Sequence, residues 1–226
     1  APPDPGWQDL IGIDPTAPAP PRAPDGPLIV AIDPGHGGID PGAGRDGLNE
    51  AGLMLALGLE VAEAVNRAAG MRAVLTRDAD LFVPLQARMS IARANGADVF
   101  LSLHADALNE GATSGLSVYT LSADGKDTAS ERMAERHDRG DLLAGLDLSA
   151  QDDTVATVLM DLARLETAPQ SRNLADALVA GLKKAGASLN GTPRRDAGLA
   201  VLTAADFPSV LIEVGFLSND ADRAAL

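Results

Sequence analysis

Only three histidines occur in the 226 residues, and two of them close apolar runs. His36 follows Leu28-Ile29-Val30-Ala31-Ile32 within Asp33-Pro34-Gly35-His36-Gly37-Gly38, and His104 ends Val99-Phe100-Leu101-Ser102-Leu103. Glu50 opens a helical pattern after Leu48-Asn49. Two imidazoles and one carboxylate make a common catalytic zinc set, with a fourth position left for water. Their spacing alone is not diagnostic, because the three are far apart in sequence, unlike a compact H-E-x-x-H helix. Each also has a plainer explanation. A strand-end histidine is often a hydrogen-bonded surface residue, and a glutamate in a first helical turn complements the helix dipole.

Glu213 is the fourth candidate. It follows Pro208-Ser209-Val210-Leu211-Ile212 and precedes Val214-Gly215-Phe216. A carboxylate directly after an apolar strand must be solvated, paired or used; as a general base it would take a proton from water and hand it to a leaving amine. Other chemistries are disfavoured. Gly42-Ala43-Gly44-Arg45-Asp46-Gly47 matches G-x-G-x-x-G, but eight residues separate it from the strand end at Asp33, so it does not read as a dinucleotide loop. There is no G-x-S-x-G elbow for a serine hydrolase. The absence of cysteine excludes thiolate ligands, a cysteine nucleophile and disulfides.

These residues need elements to carry them. The apolar runs at 28–32 and 99–103 have the pattern of strands buried on both faces. Ala73–Thr76, Leu116–Leu121, Leu199–Leu202 and Ser209–Ile212 read as further strands. Helices are expected over Glu50–Ala69, with Leu53, Leu57, Val61 and Val65 on one face, over Leu85–Ala94, and over about 128–138 and 153–167. Pro169 should break or restart the last of these, with a helix following to about 185. Ser218 or Asn219 could cap a final helix. Residues 34–47 read as a Gly-rich loop, and residues 1–27, rich in proline, as an extended tether. Strands alternating with helices predict an α/β domain with a largely parallel sheet covered on both faces. In such sheets, sites gather at the carboxyl ends of strands, where His36, His104 and Glu213 fall.

Bulk composition bounds the rest. A chain of this length, 46% apolar, suits one globular domain, and with 3% aromatics its core must be aliphatic. A net charge of −14 leaves no basic stripe for nucleic acid and no attraction to anionic lipid. No run of 18 apolar residues predicts a membrane span. The sequence starts at Ala1 without a charged and an apolar leader region, so a signal peptide, if one existed, has been removed.

Taken together, Ile32-Asp33-Pro34-Gly35-His36-Gly37-Gly38, Asn49-Glu50, Ser102-Leu103-His104-Ala105-Asp106 and Ile212-Glu213-Val214-Gly215-Phe216-Leu217-Ser218-Asn219 resemble the zinc-dependent type-3 N-acetylmuramoyl-L-alanine amidases. Thr76-Arg77-Asp78 and Arg88 also fit the family pattern, and the likeness runs over about 28–226. The resemblance implies His36, Glu50 and His104 as ligands of one zinc ion and Glu213 as the catalytic glutamate. It implies a single α/β domain with a mixed, mostly parallel sheet of about six strands flanked by helices. It further implies a monomeric periplasmic enzyme of daughter-cell separation, which cuts peptidoglycan between N-acetylmuramic acid and L-alanine. Residues 124–168 stand where relatives carry a regulatory helix over the zinc that a LytM-type activator displaces. Glu131, Glu135 and His137 are the candidate plug residues, against the alternative of a simply solvated charged helix. Two other functions fit the same residues less well: a zinc peptidase acting elsewhere on the stem peptide, and a non-catalytic wall-binding module, which would have no need of Glu213.

Overall fold

A computed structural model describes residue 20 and residues 25–107, 113–121, 154–204 and 206–226, with the backbone alone over 154–165. The expected tether lies almost wholly outside the described residues, as do Glu131, Glu135 and His137. In chain order the elements are β1 (Leu28–Pro34), a small hairpin of β2 (Gly44–Arg45) and β3 (Leu48–Asn49), α1 (Glu50–Arg67), β4 (Met71–Leu75), α2 (Leu85–Ala94), β5 (Val99–His104) and β6 (Leu116–Leu121). Then come α3 (Thr154–Lys184), β7 (Leu189–Ala197), a 3-10 turn at Ala200–Leu202, β8 (Ser209–Glu213) and α4 (Asp220–Ala225).

Six strands form one sheet in the order β4-β1-β5-β8-β6-β7. All neighbours are parallel except β6 and β8, which run antiparallel. The chain leaves β1 to one side to reach β4, then returns past it to β5, so the order reverses between β1 and β5. A doubly wound sheet opens a crevice at such a reversal, outside the carboxyl ends of the strands. His36 and His104 follow or end those two strands.

Successive side chains of a strand point to opposite faces, and β1 shows this within three residues. Val30 and Ile32 join a core layer with Met54 and Ala62 of α1 and with Ala175 of α3. Ala31 faces the other layer, with Phe100, Tyr119, Leu199, Leu202, Phe207 and Leu211, against which Leu85 and Met89 of α2 pack. Phe100 and Phe207 stack there with ring centroids 6.0 Å apart, worth about 0.5–1.5 kcal/mol beyond area burial. With helices on both faces the sheet strands can be apolar throughout. Among the described residues no helix is long and apolar enough to cross a membrane.

Two expectations are corrected, and one strand was missed. Pro169 does not break the chain into two helices: α3 runs unbroken through it. A proline removes one backbone donor, but Leu174, Leu178, Val179 and Leu182 pack α3 onto the sheet, and Ser171 Oγ accepts the Ser209 N–H at 3.0 Å. Leu199–Leu202 is not a strand: Ala200–Leu202 is a 3-10 turn. An apolar run this short cannot be assigned by periodicity alone. The strand of that region is β7, whose Asn190, Gly191 and Pro193 disguise it. It lies at the sheet edge, and its pairing skips from Leu116↔Leu189 to Val118↔Arg194. Edges and bulges are where a strand tolerates proline.

Candidate metal centre

Glu50 begins α1 yet is only 1% exposed, so it is not a solvated dipole partner. Asn49 caps the helix by accepting the Gly52 N–H at 2.8 Å, which leaves the Glu50 carboxylate to turn inward. Its Oε1 accepts the Ala105 N–H at 2.9 Å and lies 2.9 Å from His104 Nδ1. Its Oε2 accepts the Ala43 N–H at 2.9 Å and lies 3.1 Å from His36 Nε2. The two imidazoles meet edge to face, with centroids 4.9 Å apart.

One donor atom from each of His36, Glu50 and His104 lies within 4.8 Å of the others, and all three residues are buried. Ligand atoms on a tetrahedral zinc ion sit about 3.3 Å apart, given metal–ligand bonds near 2.0–2.2 Å. The two imidazole–carboxylate separations, 2.9 Å to Oε1 and 3.1 Å to Oε2, are hydrogen-bond lengths to different oxygens, and a shared ion would ask only a small adjustment of the three side chains. Two nitrogens and one oxygen, converging from three buried side chains, suit a borderline cation such as zinc. The sequence-predicted ligands are therefore brought together.

Two glycines make the convergence possible. A Cβ on Gly35 would stand 2.4 Å from His104 Cε1, so the ring lies directly against the backbone after β1. A Cβ on Gly42 would stand 2.7 Å from both Glu50 Oε2 and His36 Cδ2, and Gly42 has φ +66°.

Charge in the cluster is finely opposed. Burial disfavours the His36 cation, but Glu50 and Asp40 outweigh it and raise the imidazole pKa to about 10. Burial likewise works against the Glu50 carboxylate, yet the two histidines hold its pKa well below the usual carboxylate range. The cluster thus favours positive charge, the sign a metal cation would supply.

Glu213 is fully buried at the end of β8. It stands opposite His104 in the parallel β5–β8 register, so both side chains leave the sheet on one face. Its Oε2 accepts the Asp106 N–H at 3.1 Å. Beyond it, Val214 N–H donates to His104 O at 2.9 Å and Leu217 N–H to Asp106 O at 2.8 Å, which ties the two strand exits together.

A family model described as N-acetylmuramoyl-L-alanine amidase matches residues 30–226. The chain is 36% identical over 203 residues to the amidase AmiA of Escherichia coli K12, covering 89% of this chain and 70% of that one. It is 35% identical to the amidase AmiC of Neisseria meningitidis, where 93% of this chain spans 51% of the relative. The fold is shared with the amidase AmiC2 of Nostoc punctiforme at a TM-score of 0.57 and 30% identity, covering 87% of this chain and 84% of that one. The chain belongs to the type-3 N-acetylmuramoyl-L-alanine amidases.

In this amidase two arginines brace the loop that carries His36. Arg77 donates to the carbonyls of Pro34, Gly35, Ala51 and Ala79 at 2.7–3.1 Å. Arg88 donates to those of Pro34, His36 and Val83 and pairs with Asp33 at 2.8 Å. Burial lowers the Arg77 pKa to about 10, and the neighbouring Arg88 charge adds to the effect. Asp33 completes the network, accepting from Thr76 Oγ1 at 2.5 Å and Ser102 Oγ at 2.7 Å. His36 itself has φ +58°, a left-handed conformation that a non-glycine residue keeps only when its surroundings impose it. The G-x-G-x-x-G stretch forms the β2–β3 hairpin rather than a phosphate loop, with Asp46 and Gly47 both at positive φ as Asp-Gly hairpin turns require.

Sequence reasoning missed Asp40. It is buried, and its Oδ2 lies 2.7 Å from His36 Nδ1. The signal was a carboxylate four residues after a histidine, but Asp40-Pro41 reads first as a turn.

Proposed function

We propose that this amidase is a zinc hydrolase, which cleaves the amide between the lactyl group of N-acetylmuramic acid and the L-alanine of the peptidoglycan stem. The observation that carries the reading is the buried His36–Glu50–His104 donor set, with Glu213 beside it in register. Zinc, when bound, supplies a Lewis acid that lowers the pKa of water to about 7 and polarises the scissile carbonyl. His36, Glu50 and His104 hold it. Glu213 accepts a proton from the attacking water and returns it to the leaving amine of L-alanine. Burial of Glu213 excludes bulk solvent from that transfer, and the Asp106 N–H fixes the orientation of its carboxylate.

The same reading places the enzyme in the periplasm, in separation of daughter cells, under a LytM-type activator that draws a helix of residues 124–168 away from the metal. Its support is the level of identity to AmiA and AmiC and the position of that segment between β6 and the packed part of α3.

The test is digestion of purified sacculi by the zinc-loaded protein, with products read by mass spectrometry. Intact stem peptides freed from glycan are expected, and chelation should abolish their release. Glu213→Gln should keep stoichiometric zinc and lose on the order of 10²–10⁴ in rate. Cleavage within the stem peptide, or full activity of the variant, would refute the reading.

A further inference from the structure

We propose that Asp40 is a positioning residue for the metal, one that holds the His36 ring so that Nε2 faces the cation; the inference rests on the zinc reading above. His36 Nδ1 lies 2.7 Å from Asp40 Oδ2, while Nε2, across the ring, lies 3.1 Å from Glu50 Oε2. A carboxylate only accepts hydrogen bonds, so Nδ1 carries the hydrogen towards Asp40. The lone pair that binds metal is then the one on Nε2. His104 instead turns Nδ1 towards Glu50, so the two imidazoles offer different nitrogens to one centre. Without a fixed tautomer, His36 would present its acceptor to the wrong side of the ring.

Asp40 is itself held. Its Oδ1 accepts the Gly42 N–H at 3.1 Å. Its backbone pairs both ways with Gly37, Gly37 N–H to Asp40 O at 2.8 Å and Asp40 N–H to Gly37 O at 3.1 Å. That bridge closes the loop directly after His36, so the carboxylate reaches back to the ring from a rigid turn. Asp40 is 8% exposed, which keeps water from competing for Nδ1. A carboxylate on the far nitrogen also makes a neutral imidazole a more basic ligand.

The experiment measures zinc affinity of the full chain, stripped by a chelator, in competition with a chromophoric chelator. Cobalt(II) absorption reports the ligand field, and far-UV circular dichroism confirms folding. Wild type should bind one zinc. Asp40→Asn, which keeps a neutral acceptor for Nδ1–H, should bind about tenfold more weakly, and Asp40→Ala about 100-fold, with shifted cobalt bands; outer carboxylates of this kind are worth about 10–100-fold in metal affinity. A merely structural role would lower stability and leave the cobalt spectrum of the folded protein unchanged. Variants that match wild type in affinity and spectrum would overturn the role of Asp40 alone. A wild type that takes up no zinc would overturn the zinc reading and this inference with it. Should Asp40→Ala fail to fold, the near-isosteric Asp40→Asn decides.

Discussion

Replacing Arg88 by methionine keeps an unbranched side chain but removes the cation on which the His36 loop is built. Arg88 is 3% exposed. It donates to Asp33 Oδ1 at 2.8 Å and to the carbonyls of Val83, Pro34 and His36 at 2.8–2.9 Å. Without it, Asp33 remains fully buried with Thr76 and Ser102 as hydrogen-bond donors but loses the one cation it pairs with directly, leaving the Arg77 charge nearby. Removing one partner of a buried pair costs about 3–5 kcal/mol. The carbonyls of His36 and Val83 lose a charged donor as well, at about 1 kcal/mol each. Pro34 O keeps Arg77 Nε. The sum, on the order of 5–7 kcal/mol, is a large part of a typical folding stability of about 5–15 kcal/mol. The melting temperature should fall by roughly 10–28 °C, at about 2–4 °C per kcal/mol for a domain of this size. Urea unfolding of chelator-treated protein, followed by circular dichroism, measures the loss without the metal. The double variant Asp33→Asn/Arg88→Met removes the stranded charge. It should be less destabilised than the two single changes summed, by about 1–3 kcal/mol. An Arg88→Met protein within about 1 kcal/mol of wild type, or a strictly additive double variant, would refute the claim that this pair anchors the loop.

Gly35→Ala would put a Cβ 2.4 Å from His104 Cε1; zinc affinity and amidase rate should both drop, the rate by up to about 10² for a displacement near 1 Å, and wild-type values for both would show that the ring can move aside without cost. Acid unfolding should report Asp33. Burial opposes its ionisation, but Arg88 and the Thr76 and Ser102 hydroxyls prevail and lower its pKa below the ordinary 3.8. A depressed folded-state pKa gives stability that is present above the unfolded value and is lost as pH falls through the folded one. The urea midpoint of chelated protein should therefore fall below about pH 4, less steeply in Asp33→Asn; equal slopes would remove Asp33 from the account. Deleting residues 126–152, which spares α3, should raise hydrolysis of sacculi by the purified protein if that segment restrains the site. An unchanged or lower rate in a folded deletion would count against restraint.

The strands that carry the donors were readable because burial on both faces imposes uninterrupted apolar runs, as at Val99–Leu103 ahead of His104. α2 was readable to the residue. The edge of the sheet was not. β7 contains Asn190, Gly191, Pro193 and two arginines because only one side of its backbone pairs, so no alternation betrays it. α3 shows the converse: its proline is the strongest local stop signal available, and its apolar face against the sheet overrides it.

The site divides along the same line. Glu213 stood out because a carboxylate directly after an apolar strand has few structural uses, whereas His36, Glu50 and His104 each had a plainer explanation and stood out only together, as a zinc donor set. What holds them is polar groups satisfied by backbone, and these resemble ordinary turn chemistry until the chain is closed. Arg77 and Arg88 grip carbonyls from β1, the His36 loop, α1 and the segment before α2. Those partners are up to 54 residues away in sequence. Asp40 sits four residues from His36 and was still overlooked, because its use depends on the Gly37 bridge that folds the loop back. A donor can thus be inferred from where it sits, whereas a positioning residue is defined by the nitrogen it faces. That difference makes a metal-affinity measurement on Asp40 a sharper test of the centre than removing any of the three candidate ligands, since loss of a donor would abolish binding under almost any geometry.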